Sequence, residues 1–293
     1  MKYDFTSILD RRGWDSLAVE PPEQSVYRKD ITIKDGLKPI PMWVADMSFP
    51  VAPCVTDAIR ARMEFPNYGY FSEPEDYFGA IIRWHRDRKG VSDLTREMIG
   101  YENGVLGGVS STISAFTCPG EKILIHSPVY VGFTEVLNDL GRPAVHSSLF
   151  RDENGIWRMD YEDMDRKIRE NNIHFAIFCS PHNPCGRVWE REEIEQAMEV
   201  YRRNDCIVVS DEIWSDIIMP GYRHIPTQSV SEDAANRVIA FYAPSKTFSL
   251  AGLVGSYHVI RNPYLRDRLE KQSSSTHYNA ANVLSVSALI GAY

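Results

Sequence analysis

Lys246 is the residue of this sequence best suited to covalent chemistry. It follows a β-rich apolar run, Val238-Ile239-Ala240-Phe241-Tyr242, and no charged residue lies within eight positions on either side of it. An amine kept partly out of water loses its proton more readily and can then form a Schiff base with a carbonyl. The alternative is a lysine that snorkels from a loop. Asp211, Asn183 and Tyr130 share its setting, each at or just beyond the end of an apolar run. Gly107-Gly108, ahead of a helical pattern, adds backbone N–H groups and the positive end of a helix dipole, which suit a phosphate. Each of these also has a structural explanation. Gly-Gly makes tight turns, Asn183-Pro184 can start a turn, Asp211 can cap a helix, and Tyr130 can be a packed loop aromatic.

The surrounding patterns decide whether these residues meet. After an irregular arm over residues 1–45, with an alternating piece at Ile31-Thr32-Ile33, a helix is predicted from Pro53 to Glu64 and another from about Glu73 to Lys89, stopping at Gly90. From about residue 100, helices and strands alternate. Strands are predicted at residues 122–126, near 144–145, and at 174–179, 206–210 and 238–242, with a hairpin-like return over 256–260. Helices fall between them, including Val109, Ile113 and Phe116 on one face, Phe133 to Leu140, Tyr161 to Asn171 and Glu190 to Arg203. Continuous apolar strands alternating with amphipathic helices imply an α/β fold with a mostly parallel central sheet covered on both faces. Ligands of such sheets bind at the carboxyl ends of the strands. Tyr130, Asn183, Asp211 and Lys246 would then converge in one crevice.

Composition narrows the function. The chain has 293 residues, a net charge of −8 and no basic tract with interleaved aromatics, which argues against nucleic acid as a partner. No run reaches the length of a membrane span, and the first residues do not open a signal peptide. The five cysteines form no CxxC pair, so no metal site is expected, and their odd number fits a reducing, cytoplasmic setting better than a disulfide framework.

A lysine that forms an imine, opposed by a carboxylate on a ring nitrogen, is the arrangement of pyridoxal 5'-phosphate (PLP) enzymes. Asp211 would keep the ring nitrogen protonated, Asn183 would donate to the phenolate oxygen and Tyr130 would stack on the ring. Ser180-Pro-His-Asn-Pro-Cys-Gly186, Ser210-Asp-Glu-Ile213 and Ala243-Pro-Ser-Lys-Thr-Phe248 with Ala251-Gly252-Leu253 resemble the motifs of fold-type I, class I/II aminotransferase-like PLP enzymes. Pro41-Met-Trp-Val-Ala-Asp-Met47 and Ser127-Pro-Val-Tyr130 resemble the cystathionine β-lyase branch, the MalY/PatB type.

The resemblance implies a three-layer PLP-transferase large domain over residues 46–293, with residues 1–45 an N-terminal arm and part of a small domain. It implies Lys246 as the Schiff-base lysine and Asp211, Asn183 and Tyr130 in the roles above. Gly107, Gly108, Trp214 and Ser245 are also counted as cofactor-binding, and Ala45 and Asp46 as bordering the substrate. Tyr70 matches a tyrosine that reaches the neighbouring subunit's cofactor, which implies a homodimer with shared sites. Two positions depart from many aminotransferases: Val254 stands where an arginine meets the phosphate, and Trp214 where a tyrosine meets the phenolate. Relatives are expected to continue for on the order of a hundred residues, completing the small domain and supplying an arginine for the substrate carboxylate.

The implied activity is α,β-elimination of cystathionine or another cysteine S-conjugate to pyruvate, ammonia and a thiol. Transamination on the same cofactor is the alternative, and the preference for the lyase rests on the likeness around residues 43–47. A third possibility is a truncated, catalytically impaired or regulatory PLP-fold protein.

Overall fold

The computed structural model describes residues 3–19, 34–37, 40 and 42–293. The Ile31-Thr32-Ile33 piece and Pro41 lie outside the described residues. Helix α1 (Pro53–Met63) starts with proline at its first position, where a missing N–H costs nothing. Helix α2 (Glu75–Trp84) runs into a π-helical turn, His85–Lys89, that ends on Gly90 at φ 72°.

The alternation expected after residue 100 is present. Strand β1 (Ile99–Asn103) leads through Gly104, at φ 83°, into α3 (Val105–Phe116). Then come β2 (Ile123–Ser127), α4 (Val131–Asp139) and β3 (Ala144–Ser148). A small hairpin of β4 (Phe150–Arg151) and β5 (Trp157–Arg158), absent from the sequence reading, precedes α5 (Tyr161–Asn171). Strand β6 (Phe175–Cys179) is followed by α6 (Arg191–Arg203), whose first turn is closed by a capping box between Glu190 and Glu193. Strand β7 (Ile207–Asp211), α7 (Glu232–Arg237), β8 (Val238–Tyr242) and the short α8 (Pro244–Thr247) follow. Strand β9 (Gly255–Val259), α9 (Pro263–Ser275) and α10 (Val283–Ala292) complete the described chain.

Seven strands form one sheet in the order β1-β9-β8-β7-β6-β2-β3. Strands β3, β2, β6, β7 and β8 are parallel neighbours, and β9 is antiparallel to both β8 and β1. The chain moves outward from β2 to β3, then returns and builds β6, β7 and β8 in the other direction. This reversal puts a crevice at the carboxyl ends of β2 and β6.

Side-chain alternation along the strands divides the interior into two cores. Ile123, Ile125, Phe175, Ile177, Val209, Ile239 and Phe241 pack under α3, α4 and α9. Leu124, Ala176, Phe178, Val208, Ala240 and Tyr242 face α2, α5, α6 and α10. The result is the expected three-layer α/β architecture. Helix α1 lies against α10, where a Cβ on Gly291 would sit 2.5 Å from the carbonyl of Cys54. Val55, Ala288 and Leu250 pack together there, seating α1 beside the segment that follows Lys246.

Candidate active site

Lys246 lies on α8, immediately beyond β8. Pro244 opens this single turn, and Phe248 N–H closes it by donating to the Pro244 carbonyl at 2.9 Å. The half-buried Lys246 places Nζ 3.4 Å from the Ala45 carbonyl and 5.6 Å from the centroid of the Trp214 ring. Burial pulls its amine below the ordinary lysine value, while the charges of Asp211 and Asp46 oppose the shift.

Asp211 ends β7, the strand beside β8. It is buried, and its Oδ1 accepts from Ile213 N–H at 3.0 Å, an Asx turn rather than the cap of a helix. Burial pushes its carboxyl up from 3.8 to about 6. The adjacent Glu212 faces the other core and behaves in the opposite way. Burial opposes its ionisation, but His224 at 2.7 Å, Tyr242 hydroxyl at 2.7 Å and Thr227 N–H at 3.0 Å bring its carboxyl below the ordinary value. Two neighbouring acids are thus driven apart, and the raised one faces the lysine.

Asn183 sits in the loop after β6. That loop is held by His182 N–H donating to the Arg187 carbonyl at 2.8 Å and by Trp189 Nε1 donating to the Cys179 carbonyl at 3.0 Å. Asn183 and Trp214 line one cleft of about 520 Å³. Tyr130 caps α4 just after β2, with its ring edge-on to Phe133 at 5.6 Å. It reaches toward the first turn of α3, because a Cβ on Gly132 would meet both Tyr130 and Leu106 within 2.8 Å.

The glycine pair needs a correction. Gly107 and Gly108 are not a turn before a helix; they are the third and fourth residues of α3, and the turn residue is Gly104. Gly108 N–H already donates to the Gly104 carbonyl at 3.1 Å, so it is not offered to an anion. The N–H groups of Val105, Leu106 and Gly107 are the ones without an intrahelical acceptor. The glycines are required by packing instead: a Cβ on Gly107 would collide with the Tyr278 hydroxyl, and one on Gly108 with the Phe241 ring. Val254, which stands where many aminotransferases have an arginine, adjoins this turn at φ 66°, and its side chain brings only methyl groups, with no cation.

The N-terminal segment also reaches the lysine. Ala45 supplies its carbonyl, and Asp46 pairs with Arg11 at 2.8 Å. Met47 N–H donates to Ser249 Oγ at 3.1 Å. Ser245 is buried beside Lys246. Tyr70 stands apart, fully exposed in the loop between α1 and α2. The structure therefore joins Lys246, Asp211, Trp214, Ala45 and Asp46, places Asn183 beside Trp214 and Tyr130 beside α3, and leaves Tyr70 facing solvent. Arg11 and Tyr278 were not found by sequence reasoning. Their partners are distant in the chain, and neither lies in a local pattern that would mark it.

The family profile of aminotransferase class I and II matches residues 40–291. The chain belongs to this family. It is 33% identical to cystathionine β-lyase PatB of Bacillus subtilis (strain 168), over 87% of this chain and 65% of that protein. Cystalysin from Treponema denticola, whose structure contains a pyridoxal 5'-phosphate cofactor, superposes with a TM-score of 0.91 at 31% identity, covering 99% of this chain and 72% of that one. The PLP-bound C–S lyase from Staphylococcus hominis gives 0.88 at 31% identity, covering 100% and 71%. The chain spans about two thirds of the length of the curated PatB relative. Its likeness within the family is to the MalY/PatB type.

Proposed function

We propose that this chain holds PLP at the carboxyl ends of β7 and β8 and serves a carbon–sulfur β-lyase acting on S-substituted cysteines, such as cystathionine. The observation that carries the reading is the pairing of a desolvated lysine just beyond the end of β8 with a buried acid, its carboxyl raised to about 6, at the end of the adjacent parallel strand β7. The residues present fit the cofactor. Asp211 is a buried carboxyl suited to a cationic ring nitrogen, and binding that cation would restore its ionised form. The N–H groups at the start of α3 and the Ser245 hydroxyl would hold the phosphate. Asn183 and Trp214 offer an amide and an indole N–H to the phenolate oxygen, and Tyr130 offers its ring face.

When bound, PLP supplies an electron sink for the carbanion formed at the substrate α-carbon. Lys246 takes the α-proton, a role favoured by the desolvation that lowers its affinity for protons. The Cα–H and C–S bonds break, the thiolate leaves, and water converts the released enamine to pyruvate and ammonia. Ala45, Asp46 and the adjoining segment border the substrate.

Residues 46–293 are proposed as the cofactor domain, with residues 1–45 as an arm. Exposed Tyr70, beside exposed Phe65 and Tyr68, supports a homodimer in which it reaches the neighbouring site. All five cysteines are free, which supports a reducing, cytoplasmic setting. Among the described residues, no helix is long and apolar enough to cross a membrane.

The first test is the absorbance spectrum with PLP of the wild-type chain and of Lys246→Ala. A visible band present in the first and lost in the second supports the cofactor and the lysine together. Pyruvate from cystathionine without a keto-acid acceptor then selects elimination, whereas product formed only with an acceptor selects transamination, the activity of the family's name.

A further inference from the structure

We infer that the buried Lys89–Asp216 ion pair is a positioning device for Lys246, tying the lysine-bearing turn and the Trp214 turn to the end of α2. The inference rests on the PLP reading of the site above. Lys89 ends a charged stretch, His85–Lys89, that would ordinarily face water; here the stretch forms a π-helical turn ending on Gly90, and Lys89 is buried in it. Both partners are nearly sealed, with side-chain exposures of 2% and 6%.

Lys89 Nζ donates to Ser215 Oγ and to Asp216 Oδ1, each at 2.7 Å, and lies 5.5 Å from the ring centroid of Tyr242, the last residue of β8. Asp216 also accepts from Trp84 Nε1 at 3.2 Å and from Thr247 Oγ1 at 3.3 Å. Thr247 adjoins Lys246. Asp216 follows Asp211 by five residues and Trp214 by two. One carboxylate therefore links α2, the turn that follows Asp211 and carries Trp214, and α8, which carries the amine of the site. A buried ion pair is seldom justified by stability, since apolar replacement of both partners is often neutral or favourable. What this pair provides is a fixed relation between Lys246, Asp211 and Trp214.

The test compares the wild-type chain with Thr247→Val, which removes only the link to α8, and with the double variant Lys89→Met/Asp216→Leu, which removes the pair at similar volume. Three quantities are read: the melting temperature without cofactor, the dissociation constant for PLP, and the pH midpoint of the visible band. A positioning role predicts that the double variant melts near the wild type, yet binds PLP about tenfold more weakly or worse. The midpoint is expected to move by about half a pH unit or more. Thr247→Val should weaken PLP about threefold. Unchanged affinity and midpoint in both variants would overturn the inference, whatever happens to the melting temperature. If the double variant does not fold, Thr247→Val decides by the same criterion. A wild-type chain without a visible band removes the PLP reading itself, and this inference with it.

Discussion

At the scale of single residues, Asp211 carries the clearest trade between stability and function. Its carboxyl is raised from 3.8 to about 6 by burial, so the folded, cofactor-free chain retains a proton that the unfolded chain releases between about pH 4 and 6. Stability of the cofactor-free protein therefore falls as pH rises through that window and stays lower above it. Asp211→Asn abolishes the buried charge and is expected to stabilise the cofactor-free chain at pH 8 by on the order of 2–3 kcal/mol. The gain should vanish below pH 4. The same variant loses the partner for a cationic ring nitrogen and should bind PLP about a hundredfold more weakly. Melting curves at pH 4 and 8 check the first part; an Asn variant no more stable than wild type at pH 8 would contradict the burial argument. Lys246 was legible in the sequence as a lone charge just past an apolar strand, and Asp211 as the first acid at the end of another. Lys89 was not, because Arg86-Asp87-Arg88-Lys89 reads as a solvated helix end and Asp216 lies 127 residues away.

At the scale of elements, the start of α3 shows how packing can dictate a sequence motif. Gly108 is closed off by the Phe241 ring, and Phe241 pairs with Asp211 across the β7–β8 ladder. Gly107 is closed off by the far end of the Tyr278 side chain. Alanine gains about 1 kcal/mol of helix propensity at either position, whereas overpacking a core costs about 1–3 kcal/mol. Gly108→Ala should therefore be destabilising and should weaken PLP binding. Gly107→Ala should cost less, because the half-buried Tyr278 side chain can swing its far end aside more easily than the fully buried Phe241 ring. Urea unfolding of the two variants ranks them, and a larger loss for Gly107→Ala would contradict this account. Helices such as α5 and α6 were readable from their periodicity, since each buries one face. The role of the glycines was not, because a tight turn and a close approach demand the same residue.

At the scale of the molecule, Tyr70 lies fully exposed, away from the site whose chemistry the resemblance assigns it to. A shared site in a homodimer predicts a dimer in sedimentation velocity. It also predicts complementation between two inactive variants, Tyr70→Ala and Lys246→Ala. A mixed dimer holds one site with both native residues, so random exchange should restore about a quarter of the sites. Pyruvate release that stays at background after mixing would rule out sharing.

Residue types and periodicity alone determined the α/β class, the alternation of elements and the four strand-end residues. Those properties are local: a period of 2 or 3.6 and a charge at the end of an apolar run are visible in a few neighbouring positions. Only the tertiary structure decided that β9 enters antiparallel between β1 and β8, that Gly104 rather than Gly107 makes the turn, and that Lys89 and Asp216 meet where Asp216 also holds Thr247. Each of these depends on which distant side chains share a space, and close packing settles that only when the layers come together.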